Sequence, residues 1–163
     1  MLPTPPEGLR HWRPEDAPAL AAAWADPDIT RGNQPPPDLD PAAWIAGTEV
    51  RWARRLALDL VIDAGRGEVA GEVGLVGFTT DPARAELGVW VAASHRRTGL
   101  ATSAVCTVTA WALDPDGLGL EHLWARTDPA NVAAESLFAG LGWDRLGPAG
   151  AKTIWSATAA VLR

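Results

Sequence analysis

The chain has 163 residues, a hydrophobic fraction of 47%, a charged fraction of 21% and a formal net charge of −6. These values describe a globular chain long enough for one core, so residues 1–163 are read as a single domain. The acidic balance excludes a general nucleic-acid binder, which needs a broad basic surface, and no run of about 18 apolar residues offers a membrane span.

Pro3, Pro5 and Pro6 interrupt any leader-like apolar run at the start. With Cys106 as the single cysteine, no internal disulfide forms, and a reducing, cytoplasmic setting is expected. Leu9-Arg10-His11-Trp12 reads as a first strand. Pro14-Glu15-Asp16 then opens a helix with Ala17, Leu20, Ala21 and Trp24 on one face, ended by Asp26-Pro27-Asp28. The proline-rich segment from Asn33 to Pro41 is expected to be a loop. A second helix is predicted from Ala42 to about Leu56, on the spacing of Trp44, Ile45, Thr48 and Trp52.

Strands follow from Leu58 to Asp63, from Val69 to Phe78 and from Ala85 to Val91, with turns at Gly65-Arg66-Gly67 and Asp81-Pro82. They form an antiparallel meander. A helix beginning near Thr102 runs to about Leu113 and buries Ala104, Val108, Trp111 and Ala112. Leu120 to Arg126 alternates as a strand, Asn131 to Ala139 is helical and capped by Gly142, and Trp143 to Leu146 pairs with Lys152 to Ala159. Strands with helices around them make a mixed α/β layer fold.

The most informative stretch is Leu87-Gly88-Val89-Trp90-Val91 followed by Arg96-Arg97-Thr98-Gly99-Leu100-Ala101. An apolar strand runs into a small-residue turn and then a helix. Small residues let the backbone approach an anion, and the unpaired N–H groups of the first helical turn point at it. Two arginines at a helix N-terminus oppose the helix dipole unless an anion lies between.

These residues resemble the signature of the GNAT N-acetyltransferases, which use acetyl-CoA. Arg96-x-x-Gly99-x-Ala101 matches the family turn, and Asn131-Val132-Ala133-Ala134 leading to Leu141-Gly142-Trp143 matches a second motif. Leu9 to Ala17, Asp26-Pro27-Asp28-Ile29 and Ala85 to Trp90 look like the branch containing ribosomal-protein N-terminal acetyltransferases. The resemblance implies a mostly antiparallel sheet of six to seven strands, with helices on both faces and a splayed strand pair that admits CoA. It implies that backbone groups of Val89, Trp90 and Val91 pair with the pantetheine arm, and that the turn from Arg96 through Arg97, Thr98, Gly99, Leu100 and Ala101 to Thr102 holds the pyrophosphate. It further implies that Asn131 bonds the cofactor arm and that Phe138 packs near it. The acceptor is then an amine, either a peptide N-terminus or a small molecule, and the protein a monomer or homodimer.

Glu86 shares a strand face with Gly88 and Trp90, while Leu87, Val89 and Val91 point to the core. Its carboxylate is the candidate base for the acceptor ammonium, and Val91 N–H the candidate oxyanion donor. The structural alternative is a strand carboxylate paired with Arg84 or a neighbour. The usual protonating groups are missing: Phe138 and Ala134 stand where the family has tyrosine or serine, and the chain contains no tyrosine. A thiolate can leave unprotonated near neutral pH, so the alternatives are an active enzyme and a CoA-binding module with decayed catalysis. Cys106 reads as a small core thiol. His11, His95 and His122 lack metal-ligand spacing, and no metal is expected. Trp12, Trp24, Trp44 and Trp52 are read mainly as core, with one or two available to wall an acceptor site.

Overall fold

Period-two alternation in the middle of the chain becomes a sheet covered on both faces. The computed structural model describes residues 1–163. Its strands are β1 (Leu9–His11), β2 (Ala57–Asp63), β3 (Val69–Val76), β4 (Arg84–Val91), β5 (His122–Thr127), β6 (Asp144–Ala149) and β7 (Lys152–Ala157). They lie in the order β1-β2-β3-β4-β5-β7-β6. Every neighbouring pair is antiparallel except β4 with β5. The helices are α1 (Ala17–Ala25), α2 (Pro27–Thr30), α3 (Pro41–Ala46), α4 (Thr48–Ala53), α5 (Leu100–Leu113) and α6 (Val132–Gly140).

Alternate residues of β2, β3 and β4 feed two separate cores. Leu58, Leu60 and Ile62 of β2, Val73 and Leu75 of β3, and Ala85 and Leu87 of β4 pack on Ala104, Val105, Val108 and Ala112 of α5. On the opposite face Val61 and Trp90 meet Trp12, Leu20 and Ala23 of α1, Ile29 of α2 and Ile45 of α3. Burial of such side chains contributes roughly 1.5–3 kcal/mol each, so both layers hold the sheet.

Three local expectations need correction. The helix predicted from Ala42 to Leu56 is two helices joined at Gly47. Arg51 folds back across the joint and donates to the Trp44 carbonyl at 2.6 Å. A Cβ on Gly47 would lie 3.1 Å from the Arg51 Nη1 atom. Asp26-Pro27-Asp28 does not only end α1: the Asp26 carboxylate accepts from Asp28 N–H at 2.9 Å and so caps α2. Cys106 lies exposed on α5 rather than in the core, because the buried stripe of that helix runs through Ala104, Val105, Val108 and Thr109.

A buried ionic network fixes the first strand. Arg10 donates to both Asp16 oxygens at 2.7 and 3.0 Å, to Asp63 at 3.0 Å and to the Gly67 carbonyl at 2.8 Å. It thereby ties β1 to the turn before α1, to the end of β2 and to the β2–β3 turn. Burial raises the Asp16 carboxyl, but the hydrogen bonds from Arg10 and from the Arg13 N–H outweigh it and leave it below the usual range.

Candidate active site

The site begins where two neighbouring strands part. β4 and β5 are paired only through Arg84 with His122, Ala85 with Leu123 and Glu86 with Trp124. Beyond Trp124, β5 continues beside β7 as far as Thr127, while β4 continues beside β3 as far as Val91. The edges of β4 and β5 that face each other are therefore unpaired beyond this point. Ala92 N–H donates to the Ala70 carbonyl at 2.8 Å, and the alternation of an antiparallel ladder then makes Trp90–Glu72 and Gly88–Gly74 the bonded pairs. The N–H and C=O groups of Val89 and Val91 consequently point into the gap. Arg96 Nε already donates to the Val91 carbonyl at 3.2 Å, whereas Val91 N–H is left facing the opening.

At the mouth of this gap lies the N-terminus of α5. Its N-cap is Gly99, with φ of +80°, and no side chain caps the helix. Arg97 also has a left-handed φ, of +60°. Thr98 between them donates its hydroxyl to the His95 carbonyl at 2.5 Å. Two left-handed residues this close together, just before a helix, suit the kind of turn whose successive N–H groups form an anion-binding concavity. The N–H groups of Leu100, Ala101 and Thr102 are the free donors of the first turn. The Arg96 guanidinium turns away from this concavity: it pairs with Asp26 at 3.0 Å and with Asp28 at 3.5 Å. It thus tethers the end of β4 to the α1–α2 junction.

On the far side of the gap, Asn131 is exposed and caps α6, its side-chain oxygen accepting from Ala134 N–H at 3.1 Å. Its amide NH2 is not used by that cap. Phe138 is buried 4.9 Å from the Trp143 ring centroid and 6.0 Å from that of Trp155. It is part of the core that supports α6. Thr127 links the same region: it donates to Glu135 of α6 and accepts from Trp155 Nε1 at 2.8 Å.

Glu86 sits at the point of divergence. Its oxygens accept from Arg126 of β5 at 2.8 and 3.3 Å, and its side chain is 19% exposed. The partner is Arg126 and not Arg84, which pairs with Asp81 at 3.3 Å. This ion pair bridges the last rung before the strands separate. Each carboxylate oxygen thus accepts one N–H of a cation.

The same sheet face carries a feature that sequence reading missed. Gly74 and Gly88 are cross-strand partners, so the centre of this face has no side chains. A Cβ on Gly88 would meet nothing nearer than the Asn33 Oδ1 atom at 3.6 Å, and Gly88 is exposed. Around the bare patch stand Asp59 of β2, Glu72 of β3 and Trp90 of β4. Trp12 Nε1 donates to Glu72 at 2.8 Å and Trp90 Nε1 at 3.2 Å, one indole to each carboxylate oxygen. Arg51 of α4 donates to Asp59 twice, at 3.2 Å each, and lies 3.9 Å above the Trp44 ring. Trp12, Trp44 and Trp90 form one aromatic wall, with Trp24 against Trp44. A signal for this was present: Glu72-Val73-Gly74 repeats the spacing of Glu86-Leu87-Gly88 on the neighbouring strand.

Comparison with known proteins adds the following. A family model described as an acetyltransferase (GNAT) domain matches residues 8–144. No curated protein matches the chain by sequence. Among solved structures, Mycobacterium smegmatis RimJ in complex with CoA-disulfide is similar, with a TM-score of 0.78 and 23% identity over 94% of this chain and 82% of that one. Spermidine N-acetyltransferase from Vibrio cholerae, in complex with CoA and spermine, gives a TM-score of 0.78 at 14% identity, over 95% and 97% of the two chains. Ribosomal-protein-S5-alanine acetyltransferase from Vibrio fischeri gives 0.75 at 18% identity, over 97% of each.

Proposed function

The chain belongs to the GNAT acetyltransferase family, and we propose that it transfers the acetyl group of acetyl-CoA directly to a primary amine, with both substrates bound together. The observation that carries this reading is the parting of β4 and β5 beside an uncapped helix N-terminus. The free edge of Val89 to Val91 pairs with the pantetheine arm as an added strand would. The turn from Arg97 to Thr102 takes the pyrophosphate through its backbone donors, and the Asn131 amide completes the far wall. Acetyl-CoA supplies the activated thioester. Val91 N–H, facing the gap, is the donor for the oxygen that becomes negative when the amine attacks.

The amine enters over the opposite face, above Gly74 and Gly88, where the aromatic wall and Asn33 bound the opening. Its proton leaves to a carboxylate of that face. Sequence pattern singles out Glu86 for this; it would act with Arg126 bound to it. The sulfur leaves as thiolate and is protonated by water or by the ammonium of the tetrahedral intermediate, since Phe138 and Ala134 offer no proton.

A peptide α-amine is the proposed acceptor, on the motifs shared with the ribosomal-protein branch. A polyamine is the second reading, favoured by the carboxylates Asp59 and Glu72 around the opening. Release of free thiol from acetyl-CoA, followed with a panel of peptides, polyamines and aminoglycosides, tests both. We expect turnover with at least one amine and saturation in both substrates. Tight CoA binding without thiol release from any of them would identify a binding module instead.

A further inference from the structure

Within that acetyl-transfer reading, on which this inference rests, we propose that Glu72 of β3, rather than Glu86 of β4, contacts the acceptor amine and receives its proton. The geometry carries the assignment. Glu72 is the cross-strand partner of Trp90, whose chain neighbours Val89 and Val91 turn their backbone groups into the donor gap. Glu72 therefore stands on the strand next to β4, one backbone spacing of about 4.8 Å away, and on the sheet face over which the amine would reach the gap beyond β4. It borders the Gly74–Gly88 pair, where neither strand contributes a side chain and the nearest atoms to an added Cβ are Asp59 Oδ1 at 3.4 Å and Asn33 Oδ1 at 3.6 Å. Each of its oxygens accepts a single indole N–H, so each keeps a lone pair for an incoming ammonium. No cation pairs with it, in contrast to Glu86 with Arg126 and Asp59 with Arg51.

The charged groups around Glu72 fit this role. Asp59 faces it from β2, Arg51 from α4 behind Asp59, Arg10 from β1 two strands away and neutralised by Asp16 and Asp63, and Glu86 from further along β4. Burial first, and then the charge of Asp59, push the Glu72 carboxyl up to about 8; the indole donors and Arg51 act in the opposite direction. A base poised near the working pH is the efficient one.

The ammonium gives one proton to the Glu72 carboxylate. The freed nitrogen lone pair forms the C–N bond at the acetyl carbonyl carbon, the C–S bond breaks and sulfur takes its electrons. The remaining extra proton on nitrogen passes to the thiolate, directly or through water. The products are the N-acetyl amine, free CoA thiol and protonated Glu72, which returns its proton to solvent.

The test is the pH dependence of kcat between pH 5.5 and 9.5, measured by thiol release with the best amine of the panel. Wild type is expected to show an acid limb near pH 8. Glu72→Gln, nearly isosteric but able to accept only one of the two indole N–H groups, is expected to lower kcat by about 100-fold or more at pH 7 and to erase that limb, with CoA affinity within about threefold. Glu86→Gln is expected to lower activity less and to keep the limb. Trp12→Phe removes one donor from the carboxylate, so its limb is expected to move upward; it decides the matter should Glu72→Gln melt below the assay temperature. A limb that survives Glu72→Gln, that vanishes in Glu86→Gln, or that stays in place in Trp12→Phe overturns the assignment while leaving acetyl transfer intact. Wild-type protein that binds CoA but turns over no amine overturns both.

Discussion

At the scale of single residues, the behaviour of one carboxyl can be followed in stability as well as in rate. Glu72 titrates near 8 in the folded chain, above the 4.5 of a free glutamate. The folded state therefore holds this proton more tightly than the unfolded state does. Between about pH 4.5 and 8 the native form binds more protons, so this group's contribution to stability is fully present below 4.5 and declines as pH rises toward 8. The slope is at most about 1.4 kcal/mol per pH unit. Asp16, held below its usual range, acts with the opposite sign and in a separate window: its contribution is present at neutral pH and is lost only as pH falls below the ordinary aspartate value of 3.8. We expect wild type to melt higher at pH 6 than at pH 8.5, and Glu72→Gln to flatten that difference. Calorimetry or circular dichroism melts at the two pH values check it, and an unchanged difference in the variant would assign the effect to other groups.

At the scale of elements, the turn between β4 and α5 is decided by backbone conformation more than by crowding. Gly99 has no heavy atom within 4 Å of an ideal Cβ, yet its φ is +80°. A side chain there strains the left-handed conformation, at a cost of about 1–2 kcal/mol, and projects into the concavity meant for an anion. Gly99→Val is expected to lower the melting temperature by only a few degrees and CoA affinity by at least tenfold, read by isothermal titration. Normal affinity in that variant would place the pyrophosphate elsewhere. The split of one expected helix into α3 and α4 belongs to the same scale. Helical periodicity ran through Gly47 without interruption, but Arg51 is drawn back to Asp59 and to the Trp44 carbonyl, a demand set by the sheet below it.

At the scale of the whole molecule, β4 serves three purposes because a strand has three independent directions. One set of side chains, Leu87, Val89 and Val91, packs toward α5; the other set leaves Gly88 bare between Glu86 and Trp90; the in-plane backbone faces the gap. Donor and acceptor thus approach the same rung without competing for space. Because the walls of the gap come from β4, β5, α5 and α6, a molecule that bridges them should stabilise the assembled chain and not one element alone. At a hundredfold excess of free CoA over its dissociation constant, mass action adds about 2.7 kcal/mol, and the melting temperature is expected to rise by about 5–10 °C. A melt unmoved by millimolar CoA would remove the donor site from this gap.

By itself the sequence determined the layer architecture, the strand-to-helix turn at Arg96 to Ala101, the Asn131 helix start and the face assignment along β4. Each of these rests on signals a few residues long: period-two alternation, small residues at a turn, an asparagine ahead of a helical pattern. Tertiary structure decided what those residues touch. Glu86 is claimed by Arg126, forty positions away, Arg96 by Asp26, seventy positions away, and Glu72 by the indole of Trp12, sixty positions away. No local pattern specifies such partners, because they depend on the register of β3 against β4, on how far β4 and β5 stay paired, and on which helices lie across the sheet. The repeated Glu-x-Gly of β3 and β4 is visible in the chain, but only antiparallel pairing sets Gly74 against Gly88 and opens the floor beside Glu72.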